Sequence, residues 1–244
     1  LQSRRQWSFT STCTGSLCTT EESILSKTIR AAEAAARIPD GAVLMIGGFM
    51  GVGSPHRLID ELVRRGRKGL TVIANDTARP GVAIGKLISA RAVSRVIASH
   101  IGTNPETQAQ MIAGELQVEL VPQGTLAERI RAGGFGLGAV VTATGVGTVV
   151  AEGKRTIEID GKTFLLEMPL RADFALVNAR QADHIGNLAY ALTARNFNPL
   201  IAMAADVVIA EPQEIVPVGV IPPDAVMTPS VVVTHIIAKE SVHG

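Results

Sequence analysis

The stretch DGAVLMIGGFMGVGSPHRLIDELVRRG, residues 40–66, runs from an apolar strand through a glycine-rich turn into an amphipathic helix. The run AVLMI has no polar position, as expected of a strand buried on both faces of a sheet. Ser54 is a favoured N-cap and Pro55 a favoured first helical residue. Leu58, Ile59, Leu62 and Val63 then share one apolar face that stops at Gly66. The loop thus ends on a predicted helix N-terminus, where free N–H groups can accept a phosphate or a developing oxyanion. The other reading is a tight strand-to-helix connection that holds no ligand.

Further apolar runs recur along the chain: LTVIA at 70–74, RVIAS at 95–99, VELV at 118–121, FALVNA at 174–179, DVVIAE at 206–211 and VVVTHIIA at 231–238. Helical or loop segments separate them, including an Ala-rich opening helix over 23–37 and GTLAERIRAGG at 124–134. Strands separated in this way make βαβ units. Asp160-Gly161, between two alternating segments, predicts a hairpin. The expected fold is therefore α/β: a mostly parallel open sheet flanked by helices, with a small antiparallel flap, in one domain spanning residues 23–244. With 46% hydrophobic but 3% aromatic residues, the core must be largely Ala, Val, Ile and Leu, which suits a buried parallel sheet.

A formal net charge of +1 offers no strong field to a polyanion, so no nucleic-acid partner is expected. Arg64, Arg65, Arg67 and Lys68 read as cations at a helix C-terminus. The uncharged tract 133–151 is rich in Gly and Thr and lacks the hydrophobicity of a membrane span. Both cysteines, Cys13 and Cys18, lie in the leader, residues 1–22, so the body has no disulfide framework and no Cys-based metal site. No two of His56, His100, His184, His235 and His243 stand at metal-ligand spacing, and no metal is expected. The leader has no acidic residue and is crowded with Ser and Thr. It reads as a disordered tag or translation scar, with an Arg- and Ser-rich mitochondrial presequence as the second reading. The expected location is the cytoplasm, or the mitochondrial matrix if the leader is a presequence.

The glycine loop fails three known patterns. G-x-G-x-x-G breaks at His56, the P-loop lysine is replaced by Ser54, and G-x-S-x-G is absent. A fourth pattern is complete. An acidic-Gly pair, two free positions, three apolar residues, G-G-F, three free positions, Gly, one free position and Pro are filled by Asp40, Gly41, Leu44, Met45, Ile46, Gly47, Gly48, Phe49, Gly53 and Pro55. This resembles the first signature of the family I (3-oxoacid) CoA-transferases, on their α side. The resemblance continues through IANDTA, SHIGTNPET, VPQGTLAERIRAGG, TGVGTVV, EMPLRADFALV and ARNFNPL, covering residues 23–239.

The resemblance implies the α subunit of a short-chain acyl-CoA:acetate or acetoacetate CoA-transferase. In that family a glutamate attacks an acyl-CoA thioester, and a glutamyl-CoA thioester then activates the acceptor acid. The glutamate belongs to a Ser-Glu-Asn-Gly motif that this chain lacks, so a β subunit must supply it and no catalytic residue is expected here. CoA and acyl-CoA enter as substrates, with no cofactor. Gly47, Gly48, Phe49, Met50, Gly51, Val52 and Gly53 are implied to bind CoA. Asn75, Gln123 and Gly124, in matching motifs at the ends of predicted strands, are possible substrate-pocket residues or loop-capping amides. Many relatives carry Asn where this chain has Arg57, which can meet a carboxylate or a CoA phosphate, or stand solvated. Residues 195–199 read as architectural or interfacial. The rival readings are the α subunit of a succinyl-CoA:3-oxoacid or 3-oxoadipate transferase, and a non-catalytic CoA-ester-binding module.

Overall fold

The computed structural model describes residues 27–238, so the leader assignment lies outside the described residues. The first half comprises β1 (Thr28–Ile29), α1 (Ala31–Ala36), β2 (Val43–Ile46), α2 (His56–Arg64), β3 (Leu70–Asp76), α3 (Ile84–Ser89), β4 (Val93–His100), α4 (Pro105–Ile112), β5 (Gln117–Leu120) and α5 (Gln123–Gly134). The second comprises β6 (Val140–Thr142), β7 (Thr156–Ile159), β8 (Lys162–Glu167), β9 (Ala172–Asp183), β10 (Leu188–Ala189), α6 (Asn198–Ala202), β11 (Ala205–Val216) and β12 (His235–Ile237). No helix among the described residues is long and apolar enough to cross a membrane.

The strands explain the composition. In β2, Leu44 and Ile46 belong to one apolar core and Met45 to another; in β3, Val72 and Ala74 face the first core and Ile73 the second. A strand buried on both faces needs an apolar side chain at every position, because successive residues point to opposite sides. Leu58, Leu62 and Leu87 of α2 and α3 cover one face, and Leu126, Ile130 and Ile201 of α5 and α6 cover the other.

The main sheet runs β1-β12-β11-β9-β2-β3-β4-β5, with every pair parallel, and β10 adds antiparallel to β9. From β2 the chain steps outward to β5, then returns to lay β9 on the other side of β2. The sheet order reverses between β2 and β9, and beyond the carboxyl ends of strands at such a point α/β folds leave a crevice. The loop of residues 47–53 leaves β2 at this place. The predicted flap is β6-β8-β7, an antiparallel sheet whose hairpin turns at Asp160 and Gly161, with φ of 50° and 72°.

Three expectations need correction. Of the opening helix expected over 23–37, residues 23–26 lie outside the described residues and only Ala31–Ala36 are helical among the rest, because Thr28 and Ile29 pair with Ile236 and Ile237 at the sheet edge. Of the run 231–238 only His235–Ile237 is a strand. β9 and β11 are longer than their apolar runs, since their outer halves, of mixed polarity, pair with each other as far as Asp183 and Val216.

His235 sits on β12 with Arg37 Nη1 3.3 Å from its Nε2. Burial, reinforced by the Arg37 charge and partly opposed by Glu33, lowers its pKa from the ordinary 6.5. The native state therefore binds fewer protons than the unfolded chain. Its contribution is complete above the unfolded value and is lost as pH falls through the lowered folded value. Urea midpoints should fall more steeply below pH 6.5 in the wild type than in His235→Gln; parallel profiles would contradict this.

Candidate functional site

Residues 47–53 begin as a continuation of the sheet, with the Gly47 amide donating to the Leu176 carbonyl at 3.0 Å. Phe49 and Val52 then bond to each other in both directions, at 3.0 and 2.9 Å, closing a miniature hairpin. Its two turn residues, Met50 and Gly51, have φ of 53° and 86°. Positive φ at both central positions is the pattern of a type I′ turn, which favours glycine. Phe49 and Val52 expose 49% and 62% of their surface, so the hairpin holds apolar side chains toward solvent.

Side chains from β3, α2 and α6, together with Ser54, clamp this loop. Ser54 Oγ donates to the Gly47 carbonyl at 2.9 Å, and Asn75 Nδ2 to that of Gly48 at 2.8 Å. His56 Nε2 donates to the Gly51 carbonyl and Asn198 Nδ2 to that of Gly53, both at 3.0 Å. The Met50 amide donates to Asp76 Oδ2 at 3.0 Å. Gly47 is required by close approach, since a Cβ there would lie 1.8 Å from Asn198 Oδ1. All four glycine carbonyls are thus bonded internally, whereas the amides of Gly48, Gly51 and Gly53 meet no acceptor among the described residues. Gly48 and Gly51 are buried, where unpaired N–H groups are rare in native proteins.

The helix end differs from its sequence reading. Pro55 occupies the N-cap position, and Ser54 turns to the loop and caps nothing. The carboxylate of Glu211 on β11 instead accepts from the amides of Arg57 at 3.2 Å and Leu58 at 2.9 Å. A buried anion there satisfies two free donors and opposes the helix dipole. Arg57 meets a carboxylate, but an internal one: its Nε lies 3.5 Å from Glu211 Oε1 and its Nη1 donates to the Ala238 carbonyl at 2.8 Å. The N-terminus of α2 is therefore already occupied by the protein's own carboxylate.

Asn75 is buried and uses both ends of its amide, donating to Gly48 and accepting from Gln123 Nε2 at 2.6 Å. Gln123 Oε1 in turn accepts from the Ser99 hydroxyl. Asn75 is thus an internal brace, while Gln123 and Gly124 are exposed at the start of α5. The structure joins Asn75 and Gln123 to the glycine loop in one hydrogen-bonded chain. The residues that sequence reasoning passed over are Asp76, Asn198 and Glu211. The first two stood inside the quoted segments IANDTA and ARNFNPL, but nothing local marked them as loop anchors.

Beside the loop lies an open groove of about 650 Å³. Val52 and Gly53 form one wall; Asn178, Arg180, Leu192 and Arg195 contribute to the other. Among the described residues no cluster of three His, Cys, Asp or Glu is placed to hold a metal ion.

Asn198→Ala would strip partners from the Gly53 and Ala194 carbonyls and from the Asn178 amide. Leaving buried polar groups unpaired should cost about 2–4 kcal/mol, against about 1 kcal/mol for Ser54→Ala, which removes one bond. Urea unfolding of the two variants checks this order, and equal losses would contradict the central role given to Asn198.

The Coenzyme A transferase family profile matches residues 28–239. The chain is 58% identical over 201 residues to acetate CoA-transferase subunit alpha of Escherichia coli (strain K12), covering 82% of this chain and 91% of that one. It is 48% identical over 200 residues to one of the chains of the succinyl-CoA:3-ketoacid coenzyme A transferase of Xanthomonas campestris pv. campestris (strain B100), covering 82% and 83%. In fold it is similar to a solved acyl-CoA transferase of E. coli O157:H7, with a TM-score of 0.78 at 20% identity over 88% of this chain and 50% of that one. With its signature, its switch-point loop and its matched span in agreement, the chain belongs to the coenzyme A transferase family.

Proposed function

We propose that this chain is the α subunit of a short-chain acyl-CoA:acetate or acetoacetate CoA-transferase, in which residues 47–53 face the CoA thioester and a β subunit bearing a Ser-Glu-Asn-Gly motif supplies the nucleophile. One observation carries this reading. The loop has its glycine carbonyls bonded inward and retains three amides, at Gly48, Gly51 and Gly53, that meet no acceptor among the described residues, at the sheet's switch point. Donors fixed before the ligand arrives suit a thioester oxygen that gains negative charge, and one such donor is typically worth about 3–4 kcal/mol in the transition state.

In the proposed cycle the partner's glutamate carboxylate attacks the thioester carbon and the tetrahedral intermediate expels the CoA thiolate, leaving an acyl-glutamyl anhydride. The thiolate then attacks the glutamyl carbonyl, releasing the acyl group as a carboxylate and forming glutamyl-CoA. The acceptor acid reverses the two steps. CoA and its esters are substrates and no cofactor is consumed. The α chain contributes orientation: the Phe49–Val52 hairpin sets the loop, Asn75 and Asp76 fix it from behind, and the exposed Gln123 and Gly124 lie at the same end of the sheet. The relatives' names divide between acetate and 3-ketoacid substrates, and the one with the higher identity is the acetate enzyme.

Purified chain mixed with a cognate β subunit should transfer CoA, whereas neither alone should turn over. Borohydride should trap the glutamyl thioester on the β chain. Competition among acetate, acetoacetate and succinate ranks the acceptors. Full turnover by this chain alone would refute the division of labour.

A further inference from the structure

We propose that Arg180 and Arg195 form an anion subsite in the groove beside the glycine loop, for the phosphates of a CoA ester or the distal carboxylate of a dicarboxylic acid. This rests on the reading of that loop as the thioester site. It also gives Arg195 a role beyond the architectural one expected of residues 195–199.

Arg180 lies in the outer half of β9, where Ala179 pairs with Pro212 and Gln181 with Glu214 of β11. Strand alternation puts Asn178 and Arg180 on one face, and both line the groove with Gln213. Arg195 ends the short 3₁₀ turn Leu192–Arg195, and its Nε donates to the Tyr190 carbonyl at 3.2 Å. Tyr190 is itself buried, its hydroxyl 2.8 Å from Thr228 Oγ1, so this guanidinium hangs from a fixed point with its terminal nitrogens free.

Neither arginine has an ion-pair partner among the described residues. Arg57, Arg129 and Arg171, by contrast, each meet a carboxylate. No acidic side chain lines the groove. Asp224 lines a second hollow of about 300 Å³ that shares both arginines, but it bonds to neither. The remaining lining is uncharged, with Asn178, Thr193 and Gln213 beside the apolar Val52 and an 88% exposed Leu192 held at φ 50°. Backbone strain at an exposed apolar residue is a mark of ligand and switch sites. The groove therefore offers two planar cations on an otherwise uncharged lining, and guanidinium forks match phosphate and carboxylate oxygens in pairs.

The test uses the reconstituted α/β complex carrying Arg180→Gln, an exposed position with no partner to lose. KM is measured for acetyl-CoA, for acetyl-pantetheine, which lacks the nucleotide phosphates, and for acetate and succinate as acceptors. A phosphate subsite raises KM for acetyl-CoA about fivefold to tenfold and leaves acetyl-pantetheine unchanged. A carboxylate subsite raises KM for succinate and leaves acetate unchanged. In either case Arg180→Lys recovers part of the loss, since charge is kept and the fork is not. Calorimetric titration of CoA and of succinate into the wild-type and Arg180→Gln complexes reads the same subsite without turnover. Affinity lost there in a complex that shows no transferase activity would uphold the subsite while refuting the proposed reaction. Unchanged KM values and affinities for every ligand would overturn the subsite, as would an Arg180→Gln chain that no longer binds the β subunit on gel filtration.

Discussion

The buried carboxamide of Asn198 holds the functional end of the sheet together. It accepts from the Asn178 amide on β9 and donates to the carbonyls of Gly53 and Ala194, so one side chain joins a strand, the glycine loop and the turn before α6. Its oxygen fills the space that a Cβ on Gly47 would need. Loop, strand and groove wall thus share one origin, and their spacing follows from a group with no freedom to move. The neighbouring braces, Asn75 and Asp76, come from the end of β3.

A second polar assembly ties the antiparallel flap to the main sheet. Glu167, at the end of β8, is buried and meets Lys154 at 2.5 Å and Arg129 at 3.8 Å. Arg129 continues to Glu119 on β5 at 2.8 Å, which also takes Arg95 at 2.7 Å. Burial pushes the Glu119 pKa up, but the hydrogen bonds from Arg129 and Arg95 outweigh it and the net shift is downward. The flap is therefore joined to the sheet by charges as well as by chain connectivity, and the Glu119 end of the joint is lost as pH falls through that group's lowered pKa.

What could be seen in the sequence was what local pattern decides. The strands β2 to β4 showed as aliphatic runs because both of their faces are buried, and α2 showed through Leu58, Ile59 and Leu62. Asp160-Gly161 announced its own turn. What could not be seen depends on partners far along the chain. Thr28 and Ile29 are a strand only because Ile236 and Ile237 lie beside them, and the outer halves of β9 and β11, interrupted by Arg180, Gln181, Gln213 and Glu214, hold together by pairing. The loop's signature made the family legible, but its glycines answer first to internal packing. Ser54 looked like a cap, yet the cap is Glu211, a carboxylate 153 residues beyond the Leu58 amide it accepts from. No window of sequence contains both.

That carboxylate has a wider consequence. Because Glu211 caps the first turn of α2 from a neighbouring strand, the helix takes no capping group from the glycine loop that precedes it. The first turn of α2 is thus capped from a strand, and its remaining tie to the loop is His56, whose Nε2 donates to the Gly51 carbonyl. Substitutions at the outward-facing Met50 and Val52 can then change the loop's surface while the cap beneath stays unchanged.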